Sequence, residues 1–337
     1  MMDWFEQLTG FPETGYQETR ARLEVVDGRL RSKVNGASYA AGKLELISLQ
    51  DLRERAASRR GLPGRLRTRV VTGDVRSMHR APENAGALFQ VASQFNLLEM
   101  TGPEVTPEDG VTRYQHDHTQ GPACAIAAGA ATIYRNYFVP IDGGEGQTAN
   151  RQLDGLAALG AALSAGTKLP VSDLWTMKNG YALCSERGLD AVTRHLRSLA
   201  PDEIDTLRGK LRIGVHSGVE ATEAVGPNRP QVSQALCSAL PVAYGVRSPF
   251  WELFASLVLE AAYEATLWAA VLNAHRDGSK VVFLTFLGGG VFGNSESWIH
   301  GAMRRAFRLT ETFDLDVKLV SYGTPSKEIL ATAEEFP

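Results

Sequence analysis

A glycine-rich loop late in the chain has the residue types and spacing of an anion-binding site. The apolar run 281–287 leads directly into this loop, and a helical pattern follows from 295 to 307. In a strand–turn–helix arrangement, the unpaired amides of the first helical turn and the positive end of the helix point at one place. We therefore expect a phosphate group to bind at the loop, which consists of Gly288, Gly289, Gly290, Val291, Phe292, Gly293 and Asn294.

Two other interpretations of the same loop stay open. Gly288, Gly290 and Gly293 form a G-x-G-x-x-G pattern, as in the first turn of a dinucleotide-binding Rossmann fold. That fold also places an acidic residue after the next strand, whereas here the next apolar run, 316–320, is followed by Ser321 and Tyr322. The second alternative is a glycine turn without a ligand, although three successive glycines carry a backbone-entropy cost that a simple connection does not need.

Histidine and cysteine side chains offer weaker candidates for chemistry. His116, Asp117 and His118 alternate along one segment, but no third ligand has metal-site spacing, so we interpret them as ordinary loop residues and predict no metal. The three cysteines, at positions 124, 184 and 237, lack C-x-x-C spacing and indicate a reducing compartment. A thiolate at Cys237 would need a base and an electropositive setting, so a structural role is favoured.

Composition limits the class of protein. The chain has 337 residues, of which 44% are hydrophobic and 22% charged, with a formal charge of -3. These values are typical of a globular protein with a full core and argue against nucleic acid as the main partner. The N-terminus shows no export signal, and the apolar stretch 253–273 contains Glu260 and Glu264. We therefore expect a core helix, no membrane partner and a cytoplasmic location.

The elements divide into an N-terminal appendage and a larger core. Residues 19–49 alternate like strands, with turns at Asp27-Gly28 and Asn35-Gly36, which predicts a small antiparallel meander. A helix is predicted at 52–60, broken by residues 61–64. We assign residues 1–66 to this appendage of meander and helix.

From residue 67 onward, strand and helix patterns alternate, which predicts an α/β fold with helices on both faces of a sheet. The segment at about 140–210 interrupts this alternation and is interpreted as a helical insertion in a core spanning 67–337. The predicted elements of the core are strands at 68–72, 87–92, 211–215, 280–287 and 316–320, and helices at 122–138, 253–273 and 295–307.

Four segments contain motifs whose order along the chain is informative. They are residues 70–75 (VVTGDV), residues 89–96 (FQVASQFN), the loop at 284–294 and the strand at 316–323. In this order they resemble the macrodomain family, an ADP-ribose-binding α/β module, and the loop is similar to that of microbial poly(ADP-ribose) glycohydrolases. The resemblance covers about 67–139 and 211–329, and it implies a three-layer fold built on a mixed sheet.

The resemblance also implies roles for individual residues. Asp74 should accept a hydrogen bond from the adenine amine, and Tyr322 is placed like the aromatic residue that stacks on adenine, although a packing role is equally open. Residues 288–294 should wrap the diphosphate through their amides. Asn96 should bind the distal ribose hydroxyls, since an amide both donates and accepts.

One departure from the family pattern concerns the reaction. A long loop from about 97 to 121 stands where the family has a short glycine run, and the Gln-Glu-Glu run of the microbial glycohydrolases is absent. Cleaving a glycosidic bond needs a carboxyl group near the sugar, and Glu99, Asp117 and Gln120 are the candidates in this loop. Gly121, where the next helix begins, is counted among the ligand-binding residues.

Together these features predict a protein that binds ADP-ribose or a related nucleotide diphosphate and hydrolyses an ADP-ribosyl linkage, without a cofactor. Its partner would be ADP-ribose or an ADP-ribosylated substrate. The alternatives are a non-catalytic ADP-ribose reader or nucleotide sensor and, third, a NAD-dependent oxidoreductase.

Overall fold

The computed structural model describes residues 2–58, 63–226, 228–276 and 278–337. The strands in these ranges are β1 (Leu23–Val26), β2 (Arg29–Ser32), β3 (Ser38–Ala40), β4 (Lys43–Ser48), β5 (Arg67–Thr72), β6 (Leu88–Ala92), β7 (Pro140–Ile141), β8 (Gly144–Glu145), β9 (Trp175–Lys178), β10 (Tyr181–Cys184), β11 (Arg212–Glu220), β12 (Gln231–Cys237), β13 (Val281–Leu284) and β14 (Asp316–Ser321). The helices are α1 (Trp4–Thr9), α2 (Tyr16–Ala21), α3 (Leu49–Ala57), α4 (Val75–Arg80), α5 (Gln120–Ala127), α6 (Gly129–Tyr137), α7 (Ala157–Thr167), α8 (Val171–Leu174), α9 (Glu186–Ser198), α10 (Pro201–Gly209), α11 (Trp251–His275), α12 (Glu296–Thr310) and α13 (Lys327–Glu334).

A mixed seven-stranded sheet forms the centre, in the order β4-β11-β12-β6-β13-β14-β5. The five strands from β12 to β5 run parallel, and β11 and β4 are antiparallel to their neighbours. The carboxyl ends of the parallel strands therefore meet at one edge, where the loops after β5, β6, β13 and β14 come together. The predicted α/β fold with a mixed sheet is confirmed.

Helices cover both faces because side chains alternate along the buried strands. In β13, Val282 and Leu284 pack in the larger core cluster with α11 and α12, while Phe283 lies in a second cluster with residues of α4 and α5. The helix α11 is long and apolar enough to span a membrane, but 78% of its most apolar window is buried inside the fold. The prediction of a core helix is confirmed.

The boundary predicted at residue 66 is wrong. The strand β4 pairs with β11 from Arg212↔Ser48 to Ser217↔Lys43, so the N-terminal part supplies an edge strand of the central sheet. The meander does form, as β1-β2-β3, with Asp27 and Gly28 at positive φ in its first turn. The predicted helix at 52–60 is α3, and its positions 59 and 60, with part of the break after it, lie outside the described residues.

Two further element predictions need correction. The helix predicted at 122–138 is two helices, α5 and α6, which meet at Ala128. The strand β12, which ends at Cys237, was not among the predicted strands. The insertion at 140–210 carries helices as expected, but also the β9–β10 hairpin, whose turn Asn179-Gly180 has positive φ at both residues.

Candidate functional site

A cleft of about 860 Å³ lies at the edge of the sheet where the parallel strands end. Its walls are the loops after β5, β6, β13 and β14, together with the N-terminus of α5. The cleft brings together most of the residues selected from the sequence, namely Asp74, Glu99, Asp117, Gln120, Gly121, Gly288, Gly289, Gly290, Val291, Phe292 and Tyr322. Asn96, Gly293 and Asn294 are not among its described lining residues.

The glycine-rich loop is held in shape by its own backbone and leaves several amides free. Gly288 and Gly293 have φ of 75° and 70°, which favours glycine at both positions. The amide of Gly293 donates to the carbonyl of Gly290, and that of Asn294 to the carbonyl of Gly288. Within the described chain, the amides of Gly290, Val291 and Phe292 donate to no protein group. A loop of this kind suits a phosphate group.

Two neighbouring glycines of this loop differ in the space around them. A Cβ atom at Gly289 would lie 2.0 Å from the ring of Phe286, so this glycine packs against its own loop. A Cβ atom at Gly290 would have no atom of the described chain within 4 Å. Gly290 is therefore the position at which an added side chain would compete with a ligand and not with the fold.

Asn294 closes the loop from behind. It is 5% exposed, and its Nδ2 atom donates to the carbonyls of Leu240 at 2.9 Å and Gly288 at 3.2 Å. Gly293 is exposed, and neither Gly293 nor Asn294 is among the described lining residues of the cleft, so their contact with a diphosphate stays a prediction.

Glu99 places a fully buried carboxyl group at the cleft. Its side chain is 0% exposed, and the Nη2 atom of Arg135 donates to its two carboxyl oxygens at 2.9 and 3.1 Å. Burial raises the pKa of Glu99 to about 7, although Arg135 acts in the opposite direction. A carboxyl group with this pKa holds a proton near neutral pH and can give it up, as a general acid must.

The structure assigns different tasks to the other two catalytic candidates. The Oδ1 atom of Asp117 accepts from the amide and hydroxyl of Thr119 at 2.8 and 2.6 Å, so it shapes the start of α5. Gln120 donates to the carbonyl of Gln90 at 2.8 Å and accepts from the amide of Ala92 at 2.9 Å. The side-chain amide of Gln120 thus extends the hydrogen bonding of β6, and its catalytic assignment stays a prediction.

Gly121 allows α5 to approach β6 closely. A Cβ atom at this position would lie 1.9 Å from the carbonyl oxygen of Ala92 and 3.3 Å from Cγ of Glu99. The contact keeps the N-terminus of α5 beside the carboxyl group of Glu99.

Asn96 is not among the described lining residues of the cleft, and its contact with the distal ribose stays a prediction. It is 0% exposed, its Nδ2 atom donates to Gln152 at 2.9 Å, and its Oδ1 atom accepts from the amide of Leu98 at 3.1 Å. The partner Gln152 belongs to the insertion, so Asn96 fastens the turn after β6 to that segment. His216, on β11, is also not among the described lining residues of the cleft and is buried.

Asp74 and Tyr322 stand at the ends of the neighbouring strands β5 and β14, and both line the cleft. Asp74 caps α4 by accepting from the amide of Arg76 at 3.0 Å. Tyr322 is 87% exposed, so its ring faces are available to a flat ligand. Their predicted contacts with adenine remain predictions.

A group of aromatic residues in the cleft was not predicted from the sequence. Tyr181 lies 5.3 Å from Tyr244 and 5.4 Å from Phe292 between ring centroids. The hydroxyl of Tyr181 donates to the carbonyl of Met100 at 2.7 Å, which ties the β9–β10 hairpin to the residue after Glu99. The Asn179-Gly180 turn signal could have revealed this hairpin, but nothing local indicates where its tyrosine points.

Metal and thiol chemistry have little support among the described residues. They contain no group of three His, Cys, Asp or Glu side chains close enough to hold a metal ion. Cys237 is 1% exposed on β12, and burial raises the pKa of its thiol to about 12, which is unfavourable for a nucleophile.

Comparison with known proteins gives structural neighbours only. No protein-family model matches the chain, and no curated protein matches its sequence. The chain is similar to the crystal structure of poly(ADP-ribose) glycohydrolase from Thermomonospora curvata, with a TM-score of 0.44, 13% identity, and coverage of 92% of this chain and 94% of that one. A variant of the Deinococcus radiodurans glycohydrolase in complex with ADP-ribose gives a TM-score of 0.43 and 14% identity over 87% of this chain and 93% of that one. These are enzymes of the family that the sequence motifs resemble, but a shared activity does not follow at this level of similarity.

Proposed function

We propose that the chain binds ADP-ribose, or a closely related nucleotide diphosphate, and hydrolyses an ADP-ribosyl glycosidic linkage. One observation carries the proposal: the buried carboxyl group of Glu99 lines the same cleft as the glycine-rich loop with its free amides. The loop supplies donors for a diphosphate, and Tyr322 supplies an exposed ring for a base. The resemblance of the motifs supports the same assignment.

The residues suggest how the bond would break. The carboxyl group of Glu99 gives its proton to the leaving atom as the bond to C1 of the ribose breaks. Water then supplies a hydroxyl group to C1, and its remaining proton returns to Glu99. The negative charge left on Glu99 between these steps lies against the guanidinium of Arg135. Water is the only other reactant.

The test compares binding and turnover in the wild type and in Glu99→Gln. Calorimetry with ADP-ribose, and with ADP, AMP and NAD as controls, measures binding. Release of ADP-ribose from poly(ADP-ribose) and from peptides ADP-ribosylated on serine, glutamate or arginine measures turnover. We expect Glu99→Gln to keep binding and to lower turnover by about 100-fold or more.

The matched control is Glu104→Gln, since Glu104 lies on the same loop but pairs with Lys178 at the surface. It should leave both measurements unchanged. Binding without turnover in the wild type would reject hydrolysis and favour the reader, and no binding of any of the four nucleotides would reject the site itself.

A further inference from the structure

Arg135 is a fully buried arginine paired with Glu99, which lines the cleft. Its side chain is 0% exposed, and it lies on α6, on the face of the sheet that also carries α5. Burying a guanidinium costs free energy unless its N–H donors find acceptors. The acceptors that Arg135 contacts therefore indicate its role.

Those contacts converge on the segment that carries Glu99. The Nε atom of Arg135 donates to the carbonyl of Leu97 at 2.9 Å, and Nη2 donates to both carboxyl oxygens of Glu99. Leu97 has a φ of 64°, a strained conformation for a residue with a side chain. One guanidinium therefore fixes both the strained turn and the carboxyl group two residues later.

The remaining donors of Arg135 fix the guanidinium itself. Nη2 also donates to the hydroxyl of Thr132 at 3.2 Å, and Nη1 donates to Nδ1 of His216 at 3.5 Å. Burial and the charge of Arg135 hold the pKa of His216 well below its usual range. The imidazole is therefore a neutral acceptor and adds no competing positive charge.

We propose that Arg135 is the positioning residue of Glu99: it aims the carboxyl group at the cleft and stabilises the carboxylate formed when the proton leaves. The inference rests on the proposed function. It goes further because it assigns control of the acid strength of Glu99 to Arg135, a residue that does not contact the ligand.

The charged and titratable groups around Glu99 allow the electrostatic part to be tested. Arg135 is the one cation in contact with the carboxyl group in the described chain. Tyr114 accepts from the amide of Glu99 at 3.3 Å, and burial raises the pKa of both Tyr114 and Cys124 well above their usual values. With those two groups and His216 neutral, the charge of Arg135 dominates, and removing it should raise the pKa of Glu99 further.

The experiment measures the pH dependence of kcat and KM for the wild type, Arg135→Met and Arg135→Lys. A general acid is inactive once deprotonated, so the alkaline limb of the profile reports the pKa of Glu99. In Arg135→Met we expect kcat to fall about 10-fold or more and the limb to move up by about one pH unit or more, with little change in KM. In Arg135→Lys, which keeps the charge but loses the planar contacts, kcat should fall while the limb stays near its wild-type position.

The control is Arg53→Met, which breaks the pair with the buried carboxylate of Glu264; neither residue is among the described lining residues of the cleft. Arg53→Met should lower the free energy of unfolding without moving the alkaline limb of the pH profile. An unmoved limb in folded Arg135→Met would overturn the electrostatic role, and an unchanged kcat in Arg135→Lys would overturn positioning. If Arg135→Met does not fold, the result for Arg135→Lys alone tests the inference. An inactive wild type would instead reject the proposed function and this inference with it.

Discussion

At the scale of single residues, the protonation of Glu99 decides when the proposed reaction can run. Burial raises its pKa to about 7, and the acid acts only while protonated. We therefore expect kcat/KM to fall about tenfold per unit as the pH rises well above that value. Initial rates between about pH 5.5 and pH 9 check this, and a rate that keeps rising toward alkaline pH would show that Glu99 does not serve as the acid.

Gly290 tests the phosphate loop without disturbing its fold. A valine there would project into open space, whereas any side chain at Gly289 would strike Phe286. We expect Gly290→Val to weaken ADP-ribose binding by about tenfold or more, with little change in the unfolding temperature. Calorimetry and thermal denaturation provide the two readouts.

The control for this variant is Gly301→Val on α12, where a Cβ atom also has no described neighbour within 4 Å. It should leave affinity unchanged. Full affinity in Gly290→Val would place the diphosphate elsewhere.

The sequence allowed some site residues to be predicted but not others, for a physical reason. The free amides of the glycine loop and the carboxyl group of Glu99 depend on local features, a strand end and a turn, that a sequence pattern reveals. The side-chain amides of Asn96 and Gln120 could serve a ligand equally well by residue type. In the structure their partners, Gln152 and the backbone of β6, lie 28 or more residues away along the chain, and no local pattern indicates them.

At the scale of elements, the long loop that carries Glu99 is fastened by segments outside the core. On one side, the carboxylate of Glu13 accepts from the amides of Val111 and Thr112 and from the hydroxyl of Tyr137. On the other side, the β9–β10 hairpin holds the loop, with Asn179 donating to the carbonyl of Pro103 at 2.7 Å. The N-terminal part and the insertion thus brace the loop that carries Glu99.

Glu13→Ala should loosen this loop. It would leave three donors without their acceptor, at a cost of about 1–3 kcal/mol in the free energy of unfolding. We expect faster amide exchange at 110–116 and lower turnover, measured by hydrogen exchange and by rate assays. Glu18→Ala, on the same segment, removes an exposed ion pair with Arg22. It should change neither amide exchange nor turnover. Unaltered exchange in Glu13→Ala would show that the brace is not needed.

Strands and helices of the core were largely predictable because their apolar periodicity is strong. The break at Ala128 was not, since alanine favours a helix and the interruption depends on a distant contact, the hydroxyl of Thr222 accepting from the amide of Gly129. The strand β4 was assigned to the meander because pairing with β11 joins residues more than 160 positions apart.

At the scale of the whole molecule, a partly buried ion cluster joins four helices of the chain. Arg53 of α3 and Arg305 of α12 both bind Glu264 of α11 and Asp205 of α10. Burial by itself raises the pKa of Glu264, but hydrogen bonds from the two arginines hold it below its usual value. Its contribution to stability is therefore present above about pH 4.3 and is lost as the pH falls below that value.

Glu264→Gln should cost about 1–3 kcal/mol in the free energy of unfolding, because it removes the charge of a buried carboxylate while Asp205 still pairs with both arginines. The exposed pair Glu45–Arg55 provides the control, and Glu45→Gln should cost at most about 1 kcal/mol. Urea denaturation at about pH 7 and pH 4 measures both, and the difference between the variants should shrink at the lower pH. Equal losses of unfolding free energy in Glu264→Gln and Glu45→Gln at pH 7 would contradict a stabilising role of the cluster.

The bracing of the Glu99 loop from two sides has an evolutionary consequence. Glu13 holds the Glu99 loop without lining the cleft, so substitutions there can change the proposed rate while the glycine loop stays the same. Selection for a new leaving group can therefore act on the N-terminal segment, and nucleotide recognition is left intact while the chemistry diverges.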